Sequence, residues 1–199
     1  MAQMQLLPQT LAPGDIVYTP DWVARDMVSW FKPSGKILEP CKGEGAILKY
    51  LPSADWCEIQ EGRDFFQWSQ KADWIITNPP YSLVQEFLKH SFDIAENVVF
   101  LVPLHNFFRS DSFMKVCKDY GWIKHIRTYG NGGKLGFPMG NPVGALYFVR
   151  FYVGLTSWSW YAPNNRLHPD RWESAAKKHL SVTEAGSVSK ASPKPTSGR

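Results

Sequence analysis

The sequence has few cysteines, no metal-ligand spacing and no long apolar run. Cys41, Cys57 and Cys117 are widely separated and form no CxxC pair, so neither a zinc site nor a disulfide framework is expected. Free thiols are typical of a reducing compartment, and residues 1–15 lack the basic start and apolar run of a signal peptide. No apolar stretch reaches membrane-spanning length. We therefore expect a cytoplasmic protein without a metal or a membrane span.

The composition fits one globular domain. The chain has 199 residues, and 44% of them are hydrophobic, which is enough for a substantial core. The formal net charge is only +4. A nucleic-acid partner is permitted by this charge but is not required by it.

Strand-like and helix-like patterns alternate along the chain, which predicts an α/β fold with a mainly parallel sheet. The near-continuous apolar run NVVFLVP is typical of a buried parallel strand. A loop rich in Gly, Asn and Pro is expected from Tyr129 to Pro142. The predicted strands are 36–39, 56–59, 73–77, 97–103, 122–127 and 143–153, and the predicted helices are 19–31, a segment from the glycine-rich turn to about 51, 82–95 and 112–120.

Regular patterning fades near residue 155, which suggests three parts. We expect residues 1–155 to form the main domain and residues 156–180 to be an extension packing on it. The aromatic residues of that extension are Trp158, Trp160, Tyr161 and Trp172. Residues 181–199 are rich in Ser, Lys and Pro and are predicted to be disordered.

The segment ILEPCKGEGAI (residues 37–47) reads as a strand followed by Glu39, Pro40 and a turn with Gly43 and Gly45. Glycines let the backbone approach a ligand closely, and doubly wound sheets bind ligands at the carboxyl ends of their strands. Two later acids extend this pattern. Glu58 ends the second predicted strand, where it can accept both hydroxyls of a ribose, and Asp64 can accept from an adenine amine. Taken singly, each acid fits a solvated turn equally well.

The segment ADWIITNPPY places Asn78, Pro79, Pro80 and Tyr81 at the end of a buried strand. The lone pair of an aromatic amine is delocalised, so its nitrogen is a poor nucleophile. The Asn78 side-chain carbonyl and the Pro79 backbone carbonyl can each accept one N–H bond and localise that lone pair. The prolines stiffen the loop, and Tyr81 offers a face for stacking. The alternative is a tight turn with a packed tyrosine.

These motifs resemble the amino-methyltransferases of DNA, in the gamma-type order of the N6-adenine enzymes. The segment GDIVYTPDWVARDMV (residues 14–28) is similar to the cofactor motif that this family places before the glycine-rich turn. The resemblance runs from about Gly14 to Val153. It implies a Rossmann-like class I methyltransferase fold, with a mainly parallel seven-stranded sheet and helices on both faces. It also implies S-adenosylmethionine as cofactor and DNA adenine as substrate.

The resemblance further implies individual roles. The target amine would be held by Asn78, Pro79, Pro80 and Tyr81. The cofactor would be held by Tyr18, Thr19, Pro20, Glu39, Pro40, Gly43, Gly45, Glu58, Asp64, Phe65 and Asn78. The stretch between the second strand and Asp64 is, however, too short for the helix usual in the family.

A duplex base cannot reach such a pocket, so the enzyme would flip the adenine out or use single-stranded DNA. The family stacks an aromatic residue on the extruded base, and Phe137 is the candidate, with loop packing as the alternative. Arg109, Arg127 and Lys134 are candidate phosphate contacts, with ordinary surface bases as the alternative.

We expect a minimal form without the separate target-recognition domain that the family usually carries. The protein could be nearly sequence-independent, read a short site with its 129–142 loop, or borrow specificity from a partner or a second copy. Small stand-alone enzymes of this kind occur in phages, mobile elements and restriction–modification systems. Two other functions stay open: amino-methylation of RNA or of a protein glutamine, and a non-catalytic subunit of a methyltransferase assembly.

Overall fold

The computed structural model describes residues 16–109, 111–137 and 140–161. The predicted disordered tail and most of the predicted extension, including Trp172, lie outside these residues. The described chain contains α1 (Asp21–Phe31), β1 (Ile37–Glu39), β2 (Asp55–Trp56), β3 (Ala72–Thr77), α2 (Val84–Ile94), β4 (Ala95–Pro103), α3 (Leu104–Phe108), α4 (Asp111–Tyr120), β5 (Ile123–Asn131), β6 (Pro142–Val149) and β7 (Ser157–Trp160). Short 3-10 turns cover Leu48–Tyr50, Ile59–Glu61, Phe65–Gln67, Tyr81–Leu83 and Gly132–Leu135.

The strands form one seven-stranded sheet in the order β2-β1-β3-β4-β6-β5-β7. The neighbours β2, β1, β3 and β4 are parallel, whereas β6 runs antiparallel to both β4 and β5. β7 pairs in parallel with β5, for example Ile126 opposite Trp158. The predicted mainly parallel, seven-stranded sheet is confirmed. Its topology places the carboxyl ends of β1, β2 and β3 side by side.

Alternate residues of β4 face two apolar layers on opposite sides of the sheet. Val98 and Phe100 pack in the layer that includes residues of α2 and α4. Val99 and Leu101 pack in the layer that includes residues of α1. Helices therefore cover both faces, as predicted, and residues 98–103 of β4 are apolar because both faces of the strand are buried there. No helix in the described part of the chain is long and apolar enough to cross a membrane.

Four predicted elements are wrong in type or length. The strand predicted over 56–59 ends at Trp56, and the strand predicted over 122–127 continues to Asn131, into the predicted loop. The glycine-rich turn leads into the 3-10 turn Leu48–Tyr50 instead of an α-helix. Pro52 disfavours helical geometry at the residue before it, and β2 begins soon afterwards, which explains the difference. The strand predicted over 143–153 ends at Val149, because the chain turns at Phe151 with a φ of 58°.

The sequence patterns missed α3 and β7. α3 has five residues, too few to show helical periodicity. β7 is an edge strand held to β5 by its backbone, so it needs little apolar signal. Trp158 and Trp160 are 66% and 53% exposed, so their predicted packing on the core is wrong. Tyr161, by contrast, packs on Trp22 with ring centroids 4.6 Å apart.

Candidate functional site

A cleft of about 550 Å³ opens at the carboxyl ends of β1, β2 and β3. This volume is typical of small-molecule sites. The lining comes from four segments, within residues 16–18, 40–44, 58–67 and 78–87. A smaller cavity of about 50 Å³ shares several lining residues with the cleft and reaches Thr19 and Glu39.

The glycine-rich turn after β1 is fastened by Glu58. The Gly43 backbone N–H donates to Glu58 Oε2 at 2.8 Å, and the Gln60 N–H donates to Oε1 at 3.2 Å. Gly43 and Gly45 have φ angles of +51° and +80°, in the region that favours glycine. A Cβ atom at Gly43 would meet the Tyr18 ring at an ordinary 3.6 Å, so backbone conformation is what requires glycine there. Glu58 thus shapes the turn as well as lining the cleft.

Glu39 is a buried carboxyl group at the end of β1. Its side chain is 2% exposed, and Oε2 has no hydrogen-bond partner among the described residues. Burial raises the pKa of Glu39 to about 9, and the nearby charge of Glu58 adds to that increase. A cation in the adjoining cavity would favour the ionised carboxylate, because an opposite charge nearby offsets the loss of hydration.

Asn78 follows β3 and points its amide at the cleft. Its Nδ2 atom donates to the Val17 backbone carbonyl at 2.8 Å. Its Oδ1 atom is buried without a partner in the described structure, and the side chain lines both cavities. A buried acceptor left unpaired costs about 1–3 kcal/mol, so a ligand that donates an N–H bond to this oxygen would recover that energy.

The remaining loop residues differ in their exposure to the cleft. Pro80 lines it, whereas Pro79 is buried. Tyr81 is half-buried and packs against both apolar layers, and its hydroxyl has no partner among the described residues. Burial raises the pKa of this hydroxyl well above its usual range. Tyr81 does not line the cleft in this conformation, so its ring is not presented there as a stacking face.

Two 3-10 turns bridge the short stretch between β2 and β3. They bring Asp64 and Phe65 to the cleft despite the missing helix. Asp64 Oδ1 accepts from the Phe66 backbone N–H at 3.0 Å, which begins the second turn. Phe65 stacks on Phe87 of α2, with ring centroids 5.0 Å apart. The two turns therefore line one part of the cleft.

Most of the predicted cofactor residues are brought together. The cleft or the adjoining cavity is lined by Tyr18, Thr19, Glu39, Pro40, Gly43, Glu58, Asp64, Phe65, Asn78 and Pro80. Pro20 and Gly45 line neither cavity: Pro20 precedes α1, and Gly45 sits in the turn. Among the described residues, no group of three or more His, Cys, Asp or Glu side chains is placed to hold a metal ion.

Two of the predicted DNA contacts are wrong. Arg127 is 6% exposed, its Nη2 atom donates to Asp26 at 2.8 Å, and its guanidinium lies 3.8 Å from the centre of the Trp30 ring. Phe137 is 4% exposed and packs in the layer beside α1, so its ring cannot stack on a base. Arg109 and Lys134 are exposed, and a role for them in DNA binding stays a prediction.

Sequence analysis missed two parts of the cleft. The Val17 carbonyl, which accepts from Asn78, is a backbone atom and leaves no side-chain signal. The segment Ile59–Gly62 lines the cleft as a 3-10 turn and its cap, which are too short for a periodic pattern.

The protein is similar in structure to several methyltransferases. One is a putative class I S-adenosylmethionine-dependent methyltransferase from Listeria monocytogenes, with a TM-score of 0.52 and 16% identity over 80% of this chain and 70% of that chain. Another is the methyltransferase subunit of a type I restriction–modification system from Streptococcus thermophilus, with a TM-score of 0.54 and 13% identity over 84% of this chain and 53% of that chain. The fold is that of a class I methyltransferase.

A third similar structure comes from a type I restriction–modification system, with a TM-score of 0.56 and 14% identity over 84% of this chain and 51% of that chain. The chain thus spans about half the length of the two restriction–modification proteins. No family model matches the sequence, and no curated protein matches it significantly. At these identities the likeness concerns the fold.

Proposed function

We propose that the protein transfers a methyl group from S-adenosylmethionine to the exocyclic N6 amine of adenine in DNA. The observation that carries this proposal is the buried Oδ1 atom of Asn78, which has no partner among the described residues, in a residue that lines the cleft together with Pro80. An acceptor at this position suits a substrate that brings an N–H donor. Within a class I methyltransferase fold, the matching reaction is methylation of an amine.

The cleft residues fit the chemical groups of S-adenosylmethionine. Glu39 Oε2 is a free acceptor for the methionine ammonium group, and the smaller cavity adjoins it. Glu58 lines the cleft where it can accept from the ribose hydroxyls. Asp64 uses Oδ1 for the Phe66 N–H, which leaves Oδ2 for the adenine amine of the cofactor. Phe65 supplies the apolar surface beside it.

The catalytic contribution of the chain is to orient the target amine. The cofactor supplies a methyl group activated by its positively charged sulfur. Asn78 Oδ1 and the Pro79 carbonyl each accept one N–H of the target amine, which concentrates the lone pair on nitrogen. As the nitrogen–carbon bond forms, the carbon–sulfur bond breaks, and the extra proton on nitrogen leaves to solvent. Fixed position and preorganised dipoles therefore account for catalysis without a strong base.

DNA is the favoured substrate for two reasons. The motif Tyr18-Thr19-Pro20 precedes the glycine-rich turn, as in DNA amino-methyltransferases. The fold is also similar to subunits of restriction–modification systems. The adenine would be flipped from a duplex or taken from a single strand. Arg109 and Lys134, both exposed, would contact phosphates, and specificity would come from a partner or a second copy.

Transfer of a labelled methyl group to several substrates tests the proposal. Duplex DNA, single-stranded DNA, RNA and a translation release factor are incubated in parallel with the protein and labelled S-adenosylmethionine. We expect the label in DNA, as N6-methyladenine after hydrolysis. Label only in RNA or in a protein glutamine would assign the same chemistry to another substrate. Cofactor binding without any transfer would favour the non-catalytic subunit.

A further inference from the structure

We propose that residues 16–19, here called the N-terminal wall, orient the Asn78 amide for catalysis. The inference rests on the proposed function, since it concerns the same site. The wall lines the cofactor cleft and its adjoining cavity, and its Val17 carbonyl accepts from Asn78 Nδ2 at 2.8 Å. Cofactor binding and catalysis would therefore share one structural element, with Val17 as a positioning residue.

The hydrogen bond to Val17 selects one of two amide orientations. With Nδ2 facing the Val17 carbonyl, Oδ1 becomes the atom that is left without a partner. Rotation of the amide by half a turn would bring two carbonyl oxygens together and turn the donor toward the target amine. Such an arrangement would repel the substrate N–H group, so the donor bond to Val17 is what keeps the acceptor available.

The wall is attached to the fold at Val17 and at the residues that follow it. The Val17 side chain packs against the apolar layer that contains α1. The Tyr18 ring lies beside the Gly43 backbone of the glycine-rich turn. The Pro20 carbonyl accepts from the Val23 and Ala24 N–H groups at 2.9 and 3.1 Å, which joins the wall directly to α1. The Val17 carbonyl is thus a fixed acceptor.

Asn78 has two roles in this proposal, as an acceptor for the target amine and as a donor to the Val17 carbonyl. An alanine substitution removes both together. If Asn78 served only as an acceptor, an aspartate would replace it well, because both of its oxygens accept. If the donor bond to Val17 is needed, an ionised aspartate fails, since it has no proton to donate and faces a carbonyl oxygen. A protonated aspartate regains one O–H donor while keeping an acceptor oxygen.

The test compares Asn78→Asp with wild type and Asn78→Ala from pH 5.5 to pH 9. Single-turnover methylation of DNA is measured at saturating S-adenosylmethionine, and thermal unfolding verifies that each variant keeps the fold. We expect Asn78→Asp to be slower than wild type by at least about tenfold at pH 9, because a buried hydrogen bond is lost. Its rate relative to wild type should recover as pH falls. A ratio that does not change with pH overturns the proposal, whether it stays near one or near that of Asn78→Ala.

A second measurement needs neither turnover nor a variant. In wild-type protein labelled with ¹⁵N, one side-chain amide proton of Asn78 should exchange with solvent at least about tenfold more slowly than those of the exposed Asn106. Equal exchange rates would overturn the positioning role. If the wild-type protein does not methylate DNA but its Asn78 amide proton exchanges slowly, the proposed function is rejected instead.

Discussion

Two regions of the sheet differ in whether their buried polar groups are hydrogen-bonded. Between α1, β5 and β7, Arg127 donates to Asp26, and both ring nitrogens of His125 contact serine hydroxyls of β7 at 2.6 and 2.7 Å. In the cleft, Glu39 Oε2 and Asn78 Oδ1 are buried and have no partner among the described residues. One region is complete as folded, and the other has acceptors that a ligand can use.

The paired groups of the first region stabilise the fold, whereas the unpaired acceptors of the second are available to a ligand. A buried polar group is costly unless it is hydrogen-bonded, so a paired network belongs to the fold. Unpaired acceptors beside a cleft weaken the fold and are explained by a ligand. Ser91 shows that an unpaired group alone is not a site, because its hydroxyl is buried and unpartnered in the described structure yet lines neither cavity. Substitutions in the paired network should therefore lower the free energy of unfolding, and substitutions in the cleft should lower activity.

The largest effect on stability is expected from Arg127→Ala. The substitution removes the cation beside the partly buried Asp26 carboxylate, which keeps the Tyr129 hydroxyl as a donor at 2.9 Å. Breaking a fully buried pair lowers the free energy of unfolding by about 3–5 kcal/mol, and the loss here should lie at the lower end of that range. Urea denaturation measures the loss. Lys49→Ala is the matched control, because Lys49 pairs with Asp21 at 2.5 Å but both side chains are more than half exposed. Its effect on the free energy of unfolding should be much smaller, because solvent screens an exposed pair, and equal losses at the two sites would contradict the comparison.

Asn78→Ala should act on activity and leave stability nearly unchanged. Removal of one preorganised dipole from an active site typically lowers the rate by about 10²–10³-fold, so methyl transfer should fall by at least about a hundredfold. Ser91→Ala is the control, since it also removes a buried, unpartnered oxygen. That control should keep full activity. A similar loss of activity in both variants would remove the distinction between cleft and core.

Glu39→Gln should change how stability depends on pH. The pKa of Glu39 is raised from 4.5 to about 9 in the folded protein, chiefly by burial. Between these pH values the folded state keeps a proton that the unfolded state has lost. The wild type should therefore lose stability relative to Glu39→Gln as pH rises through this window. Thermal unfolding at several pH values measures the difference, and parallel curves for the two proteins would contradict it.

His125→Gln should show a smaller dependence on pH with the opposite sign. Burial, with a contribution from the Arg127 charge, lowers the pKa of His125 from 6.5 to about 4. The unfolded state takes up a proton below pH 6.5, whereas the folded state does so only near pH 4. The wild type should lose stability relative to His125→Gln as pH falls across that range. If acidification destabilised both proteins equally, His125 would not be the titrating group.

Much of the fold could be predicted from the sequence because its signals are local. The run 98–103 is apolar throughout, and the structure buries all of it in β4. Glu39 and Asn78 directly follow or end apolar strands, and parallel pairing of β1 with β3 brings those strand ends together. The order of the motifs along the chain was therefore enough to predict that Glu39 and Asn78 lie at the same edge of the sheet.

The errors have a common physical cause, which is tertiary pairing. The sequence predicts a surface position for Arg127, but its side chain is buried because it pairs with Asp26 of α1, about a hundred residues earlier. Phe137 lies in a glycine-rich stretch, yet the apolar layer beside α1 buries it. The Val17 carbonyl belongs to the backbone, so the residue type at that position does not indicate that it accepts from Asn78. Contacts of this kind depend on the assembled fold.

The most direct test of the central claim is calorimetric titration of the folded protein with S-adenosylmethionine near pH 7.5. We expect one cofactor to bind per chain, with a proton released to the buffer as Glu39 ionises against the ammonium group, and no such release in Glu39→Gln. Absence of binding by folded wild-type protein would contradict the claim that the residues with unpaired oxygens at the cleft form a site for a methyl donor.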